Sequence, residues 1–194
     1  MHCSLVVTTP ATVQPVSLAE AKAHLRVDSS DEDDLILALI EAATDWAQEY
    51  TRRAFVPASF RLGLDSFPAY GIRLPRNPVI RVDGITYTDE GGTERTLSAS
   101  EYLTDLESEP ARITPTYGNT WPTTRMQIGA VKVNFTAGYD DASPAQDSVP
   151  EGIKAAIKLV LTDLFEHRSA AMVQAAERNP AVVSLLSRFR IVSL

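Results

Sequence analysis

Thr51-Arg52-Arg53-Ala54-Phe55-Val56-Pro57-Ala58-Ser59-Phe60-Arg61-Leu62-Gly63-Leu64 is where the hydrophobic period of this chain changes. Upstream, Ile36, Leu39, Ile40, Ala43, Trp46, Ala47 and Tyr50 recur at helical spacing. Downstream of Pro57, Phe60, Leu62 and Leu64 alternate with polar or small neighbours, as one buried face of a strand requires. The alternation continues through Ile72 and Leu74, Ile80 and Val82, Ile85 and Tyr87, and is clearest in Val131, Val133, Phe135 and Ala137. Asp89-Glu90-Gly91-Gly92 reads as a hairpin turn between strands at 85–88 and 93–97, because glycine supplies the positive φ of such turns. Seven of the twelve prolines lie between Pro57 and Pro122, which suits an edge-rich, loop-rich sheet better than a compact barrel.

Helices flank this region. Ser17 and Glu20 form a capping box at the start of a short helix that places Leu18, Ala21 and Leu25 on one face and ends near Val27-Asp28. A second helix is expected from Ser29 or Ser30, with Asp31, Glu32, Asp33 and Asp34 filling its first turn and complementing the positive end of its dipole. After a polar linker at 140–149, Ser148-Val149-Pro150-Glu151 opens a third helix with Ile153, Ile157, Val160, Leu161, Leu164 and Phe165 as its stripe. The stretch 169–179 is weakly patterned, and Pro180 restarts a short helix carrying Val182, Val183, Leu185, Leu186 and Phe189. The fold class is therefore α+β: a helical bundle from the N- and C-terminal segments, with an inserted strand-rich antiparallel β region. The expected divisions are residues 15–56, 57–140 and 148–194.

The 194 residues carry a net charge of −7, and residues 1–50, with nine acids and two bases, account for all of it. The last seventeen residues hold Arg178, Arg188 and Arg190 and no acid. An acidic chain without a Lys/Arg stripe is a poor wrapper of nucleic acid, since phosphate neutralisation supplies most of that affinity. No apolar run approaches a membrane span, and the residues from Met1 to Val7 lack the basic region and apolar stretch of a leader. One cysteine, Cys3, excludes an internal disulfide framework.

Enzyme motifs are scarce: G-x-S-x-G, Walker, G-x-G-x-x-G and H-E-x-x-H patterns are all missing. Cys3, beside His2 at what reads as a frayed terminus, is incidental, and His2, His24 and His167 have no metal-ligand spacing. The acidic run lacks the glycine-bearing pattern of a calcium loop. No cofactor is expected. Trp46 reads as core, whereas Trp121, in Tyr117-Gly118-Asn119-Thr120-Trp121-Pro122, is either a loop anchor or an interface residue. The ending, Arg188-Phe189-Arg190-Ile191-Val192-Ser193-Leu194, is apolar and basic. It either packs back on its own bundle or docks into another chain, with Ile191 and Leu194 as anchors and the arginines meeting acids.

These segments together resemble the head–tail connector proteins of tailed bacteriophages and prophages. The resemblance rests on Pro15-Val16-Ser17-Leu18-Ala19-Glu20-Ala21-Lys22-Ala23-His24-Leu25-Arg26-Val27, the acidic helix start and Thr51-Arg52-Arg53. It continues in Ile72-Arg73-Leu74-Pro75-Arg76-Asn77-Pro78-Val79, the Trp121 loop, Phe135-Thr136-Ala137-Gly138-Tyr139 and Val149-Pro150-Glu151-Gly152-Ile153-Lys154-Ala155-Ala156, and so runs from about Pro15 to Phe165. It implies a structural adaptor without catalysis, located in the virion at the capsid vertex and made in the cytoplasm of a bacterial host. Such adaptors form a ring, commonly a dodecamer, beneath the portal protein, extend the DNA channel and receive a downstream head-closure or tail protein. The free chain is then expected as a monomer, contacts passing DNA without sequence specificity, and has no membrane partner.

On this resemblance Arg188, Phe189, Arg190, Ile191, Val192 and Leu194 form a portal-docking tail. Asp31, Glu32, Asp33 and Asp34 face the channel lumen and repel phosphate. Trp121 is a candidate interface residue. Phage, prophage and gene transfer agent are equally compatible. The competing readings are another head-closure or tail-completion protein, disfavoured by the helical ends, and an enzyme with an unrecognised site.

Overall fold

The computed structural model describes residues 3–139, 145–166 and 179–192. They divide into two units: the residues up to Ala11 with Pro57–Tyr139, and Thr12–Val56 with the described residues from 145 to 192.

The first unit is built around β8 (Val131–Ala137), in which Val131, Val133, Phe135 and Ala137 are buried. It pairs antiparallel with β2 (Ala58–Leu64) on one side and with β4 (Val79–Thr88) on the other. Phe60 stands opposite Phe135 with ring centroids 5.5 Å apart, a cross-strand aromatic pair at the centre of the core. β1 (Cys3–Thr9) and β5 (Glu94–Leu97) complete the sheet in the order β1-β2-β8-β4-β5. Gly92, at φ 87°, closes the hairpin into β5, its N–H donating to the Asp89 carbonyl at 2.9 Å. A smaller sheet orders β3 (Ile72–Arg73), β7 (Arg112–Pro115) and β6 (Tyr102–Asp105).

Three readings of the sequence need correction in this unit. The residues around Cys3 are not frayed, because their backbone groups pair with β2 in the register Cys3 to Leu64 through Val7 to Phe60. The alternation buries Ile85 as expected, but Ile80 and Val82 are only half-buried and Val79 is buried instead. Register shifts between Val79 and Arg81 and between Val82 and Gly84 each reset which face a side chain meets. β6 and β7 were not anticipated: each has four residues and too little alternation to announce itself.

In the second unit α1 (Leu18–Leu25) and α3 (Glu151–Glu166) both contact α2 (Asp33–Thr51), and α4 (Pro180–Ser187) contacts α3 and α2. Their facing stripes bury Ala21, Ile36, Ile40, Ala43, Ala47, Ile153, Ala156, Ile157, Val160, Leu161, Val182 and Leu186. The capping box forms as read: the Ser17 N–H donates to Glu20 Oε2 at 2.8 Å, and the Glu20 N–H to Ser17 Oγ at 3.2 Å. That Ser17 N–H is the largest of the influences holding the Glu20 carboxyl below its ordinary pKa. Pro180 starts α4, with Asn179 Oδ1 accepting from the Ala181 N–H at 3.1 Å. The second helix begins at Asp33, not at Ser29 or Ser30, because Ser29 spends its hydroxyl on a local turn with Asp31. Trp46 is only half-buried and stacks on Tyr50 at 5.5 Å. His2, His167 and residues 169–178 lie outside the described residues.

Asn77 joins the turn after Leu74 to the start of β7. Fully buried, it accepts from the Ala111 N–H at 2.9 Å and donates to the Leu74 carbonyl at 3.1 Å. Asn77→Ala is expected to strand both backbone groups and to lower unfolding stability by about 1–3 kcal/mol, measured by denaturant titration. Asp105 supplies a pH test. Its carboxylate accepts from the Ser108 hydroxyl at 2.7 Å, the Ser108 N–H at 3.1 Å and Arg112 Nε at 2.8 Å, which together hold its pKa at about 2. A depressed folded-state pKa stabilises fully above the ordinary value of 3.8, and that stabilisation is lost as pH falls toward 2. Asp105→Asn is therefore expected to flatten the acid side of the melting-temperature profile in that window.

Candidate functional site

α2 ends with Arg52 in the left-handed conformation, φ 58°, and the N–H groups of Arg52 and Arg53 both turn to the Gln48 carbonyl. A non-glycine residue there costs about 1 kcal/mol. The reversal carries the next side chain, Arg53, into the interior of the unit, where it is 7% exposed. A buried guanidinium needs acceptors, and Nε of Arg53 donates to the Phe189 carbonyl at 2.6 Å. Beside it, the Ile191 N–H donates to the Thr51 carbonyl at 3.0 Å. The segment after α4 is thus held by two backbone contacts at the C-terminal end of α2.

Side chains reinforce the attachment. Ile191 is 8% exposed. The Arg190 guanidinium lies 5.3 Å from the centroid of the Tyr50 ring, and that of Arg188 lies 4.5 Å from the centroid of the Phe189 ring. Gly152 on α3 leaves the room in which Arg188 and Phe189 sit. Contact ends abruptly at Val192, which is 70% exposed. Through Ile191, then, the expected docking tail packs on its own unit, and Ile191 is not presented to another chain in this conformation. Leu194 lies outside the described residues.

The acidic run is dispersed in role. Asp33 Oδ1 pairs with Lys22 Nζ at 2.6 Å, tying α2 to α1. Asp31 is occupied by Ser29 at 3.0 Å, and Asp31 and Asp34 are exposed while Glu32 is half-buried. Trp121 is half-buried in the other unit. It stacks on Phe67 at 4.7 Å and donates from Nε1 to the Pro68 carbonyl at 3.0 Å, which accounts for it as a loop anchor. Sequence reading did not anticipate Arg53 or Thr51 as the clamp. An arginine just past a helix end usually reads as a dipole complement, and only the return of the chain at Phe189 reveals its use.

Among the described residues no group of three or more His, Cys, Asp or Glu is placed to hold a metal ion, and no helix is long and apolar enough to cross a membrane. A hollow of about 440 Å³ is lined by Cys3, Ser4, Gly63, Asp65, Ile128 and Gly129. Its carboxylate, Asp65, accepts from the Gly129 N–H at 3.0 Å.

Residues 15–108 match the family model of phage gp6-like head-tail connector proteins. The fold is shared with a chain in the virion of a native gene transfer agent particle, 24% identical, with a TM-score of 0.78 over 98% of this chain and 96% of that one. A chain in the neck of the empty particle, computed with C6 symmetry, is 25% identical, with a TM-score of 0.75 over 100% and 97%. A chain in the neck of the native particle, computed with C12 symmetry, is 24% identical, with a TM-score of 0.71 over the same shares. No curated protein matches. The class so defined is a structural connector between head and tail. Within that class, the sequence pattern of residues 15–108 is that of the gp6-like connectors.

The clamp makes a local prediction. Arg53→Ala should accelerate amide exchange at residues 189–191 by about tenfold or more, the equivalent of one charge-assisted hydrogen bond. Exchange in the middle of α2 and α3 should stay slow.

Proposed function

We infer that this protein is a ring-forming adaptor, without catalytic activity, that sits beneath the portal at the capsid vertex, extends the DNA channel and receives a head-closure or tail protein below. The observation that carries the reading is the agreement of fold over nearly the whole chain with neck components of a particle solved with C6 and C12 symmetry. The gp6-like connector pattern at 15–108 points the same way. A non-catalytic role is supported by the structural-connector pattern at 15–108 and the likeness to neck components. The protein is made in the host cytoplasm and ends in the virion, with the free chain a monomer.

In this reading the portal is met by the end of the chain. Arg188, Phe189 and Arg190 set the direction of the segment, and the residues from Val192 onward engage the partner. Ile191 and the Phe189 carbonyl are already used within the unit, so removing everything from Arg188 would damage the bundle as well as the docking. Asp31 and Asp34, exposed near the start of α2, are the acids that would face passing DNA. Asp33 is partly neutralised by Lys22. Repulsion at that surface keeps the conduit from gripping phosphate, an effect felt over about 8–10 Å at physiological salt. Trp121 serves this function indirectly, by fixing the loop that carries Tyr117.

The test is co-assembly with the portal protein encoded beside this one, read by mass measurement and electron microscopy. The full chain should stack coaxially on the portal as a closed ring with Asp31 and Asp34 on its inner wall. A chain ending at Ile191 keeps every contact described above and should melt as the full chain does, yet lose portal binding. Absence of a ring with competent portals would overturn the adaptor reading. Binding by the shortened chain would overturn the role of the tail.

A further inference from the structure

The two edges of the five-stranded sheet complement one another. β1 forms one edge. Over Cys3–Thr9 it carries no charged residue and no proline. Natural sheets defend long edges with such residues, because a row of unpaired N–H and C=O groups recruits another strand. Val6 and Val7 point to opposite faces and are 55% and 53% exposed, so β1 is uncovered on both sides. The register shift between Val7 and Thr9 limits the regular template to residues 3–7.

β5 forms the opposite edge, and its four residues match that short template. Its two charges are neutralised on their own sheet: Glu94 Oε1 accepts from Lys132 Nζ at 2.9 Å, and Arg95 Nε donates to Asp89 Oδ2 at 2.9 Å. The β5 edge therefore presents backbone and Thr96 without an unmatched charge to repel a neighbouring strand. Among the described residues no strand pairs with the outer side of either edge.

We propose that β5 of one copy adds to β1 of the next, so that the sheet runs continuously from subunit to subunit. The inference rests on the ring reading above and deepens it by naming the contact. A cyclic ring of more than two copies requires a heterologous contact, one patch meeting a different patch, and a sheet with an open edge at each end supplies such a pair. The direction follows from the strand order. Each neighbour in β1-β2-β8-β4-β5 is antiparallel, so β1 and β5 point the same way and the new pairing is parallel. Val6 and Val7 would then each gain a neighbouring side chain on their own face from the added strand.

Cross-linking in the assembled ring tests this with the full chain. Cys3→Ser removes the native thiol, Thr96→Cys marks β5, and a second cysteine is placed in turn at Leu5, Val6 and Val7 of β1 to cover the possible registers. Within one copy the two edges are four strand spacings apart, about 19 Å, so a short bismaleimide can join them only between copies. The expected result is a ladder of covalent multimers extending to the full ring from at least one position, together with loss of amide exchange at the outward N–H groups of β1 on assembly. Val6→Lys with Val7→Lys should leave the melting transition within a few degrees of the native chain and abolish ring closure. A ring that forms without a ladder, with β1 amides exchanging as in the free chain, overturns this contact and leaves the adaptor reading standing. A native chain that forms no ring on competent portals overturns both, and is recognised before any cross-linker is added.

Discussion

Strand β8 must satisfy its backbone on both sides at once, and the first unit follows from that requirement. A central strand buried among apolar side chains has no water to pair with, so residues 131–137 need two partners of the right length. They find residues 58–64 and 79–87, both distant in sequence. Once these three strands are in register, the alternation in each is committed, and Phe60, Leu62, Leu64, Ile85, Val131, Val133 and Phe135 fall on buried positions together. The same arrangement leaves β1 and β5 paired on one side each. In an isolated chain that is an exposed template, and it is the template on which the proposed contact between copies rests.

The second unit answers a different demand, which is to hold the end of the chain without burying all of it. Arg53 is sent inward by the left-handed turn at Arg52 and spends a charge-assisted hydrogen bond on a backbone carbonyl at Phe189. The burial of Ile191 and the cation–π contact of Arg190 with Tyr50 extend the attachment, and Val192 lies beyond it. A tail anchored up to one residue and exposed at the next leaves its root at the end of α2 with a defined direction. Under the adaptor reading proposed above, such a root would limit the conformational entropy lost when the portal captures the residues that follow.

Much of this was legible from residue order because it depends on local periodicity. The helical stripes of α2 and α3, the capping box at Ser17, the hairpin at Gly92 and the alternation of β8 are statements about neighbours within a few residues, and each is present in the structure. The α+β class follows from them. The connector resemblance rested on several separated motifs, from about Pro15 to Phe165; the family model matches it over residues 15–108, and the likeness of fold to a neck chain covers the remainder.

What only the tertiary structure decided were features in which a residue's role is set by something remote. Cys3–Thr9 holds a β-prone run, Val6-Val7-Thr8-Thr9, but it is a strand because β2, distant in sequence, lies beside it. Arg53 is a clamp because the chain returns at Phe189, 136 residues later. Trp121 anchors a loop because Phe67 and Pro68 lie beneath it. The β4 register shifts move burial from Ile80 to Val79, since a strand's faces are fixed by its partner and not by its own alternation. The sequence by itself determined the main helices, the central strands and the α+β class they build, because propensity and period are local. The open edges and the held tail were decided by long-range pairing, which local pattern does not encode.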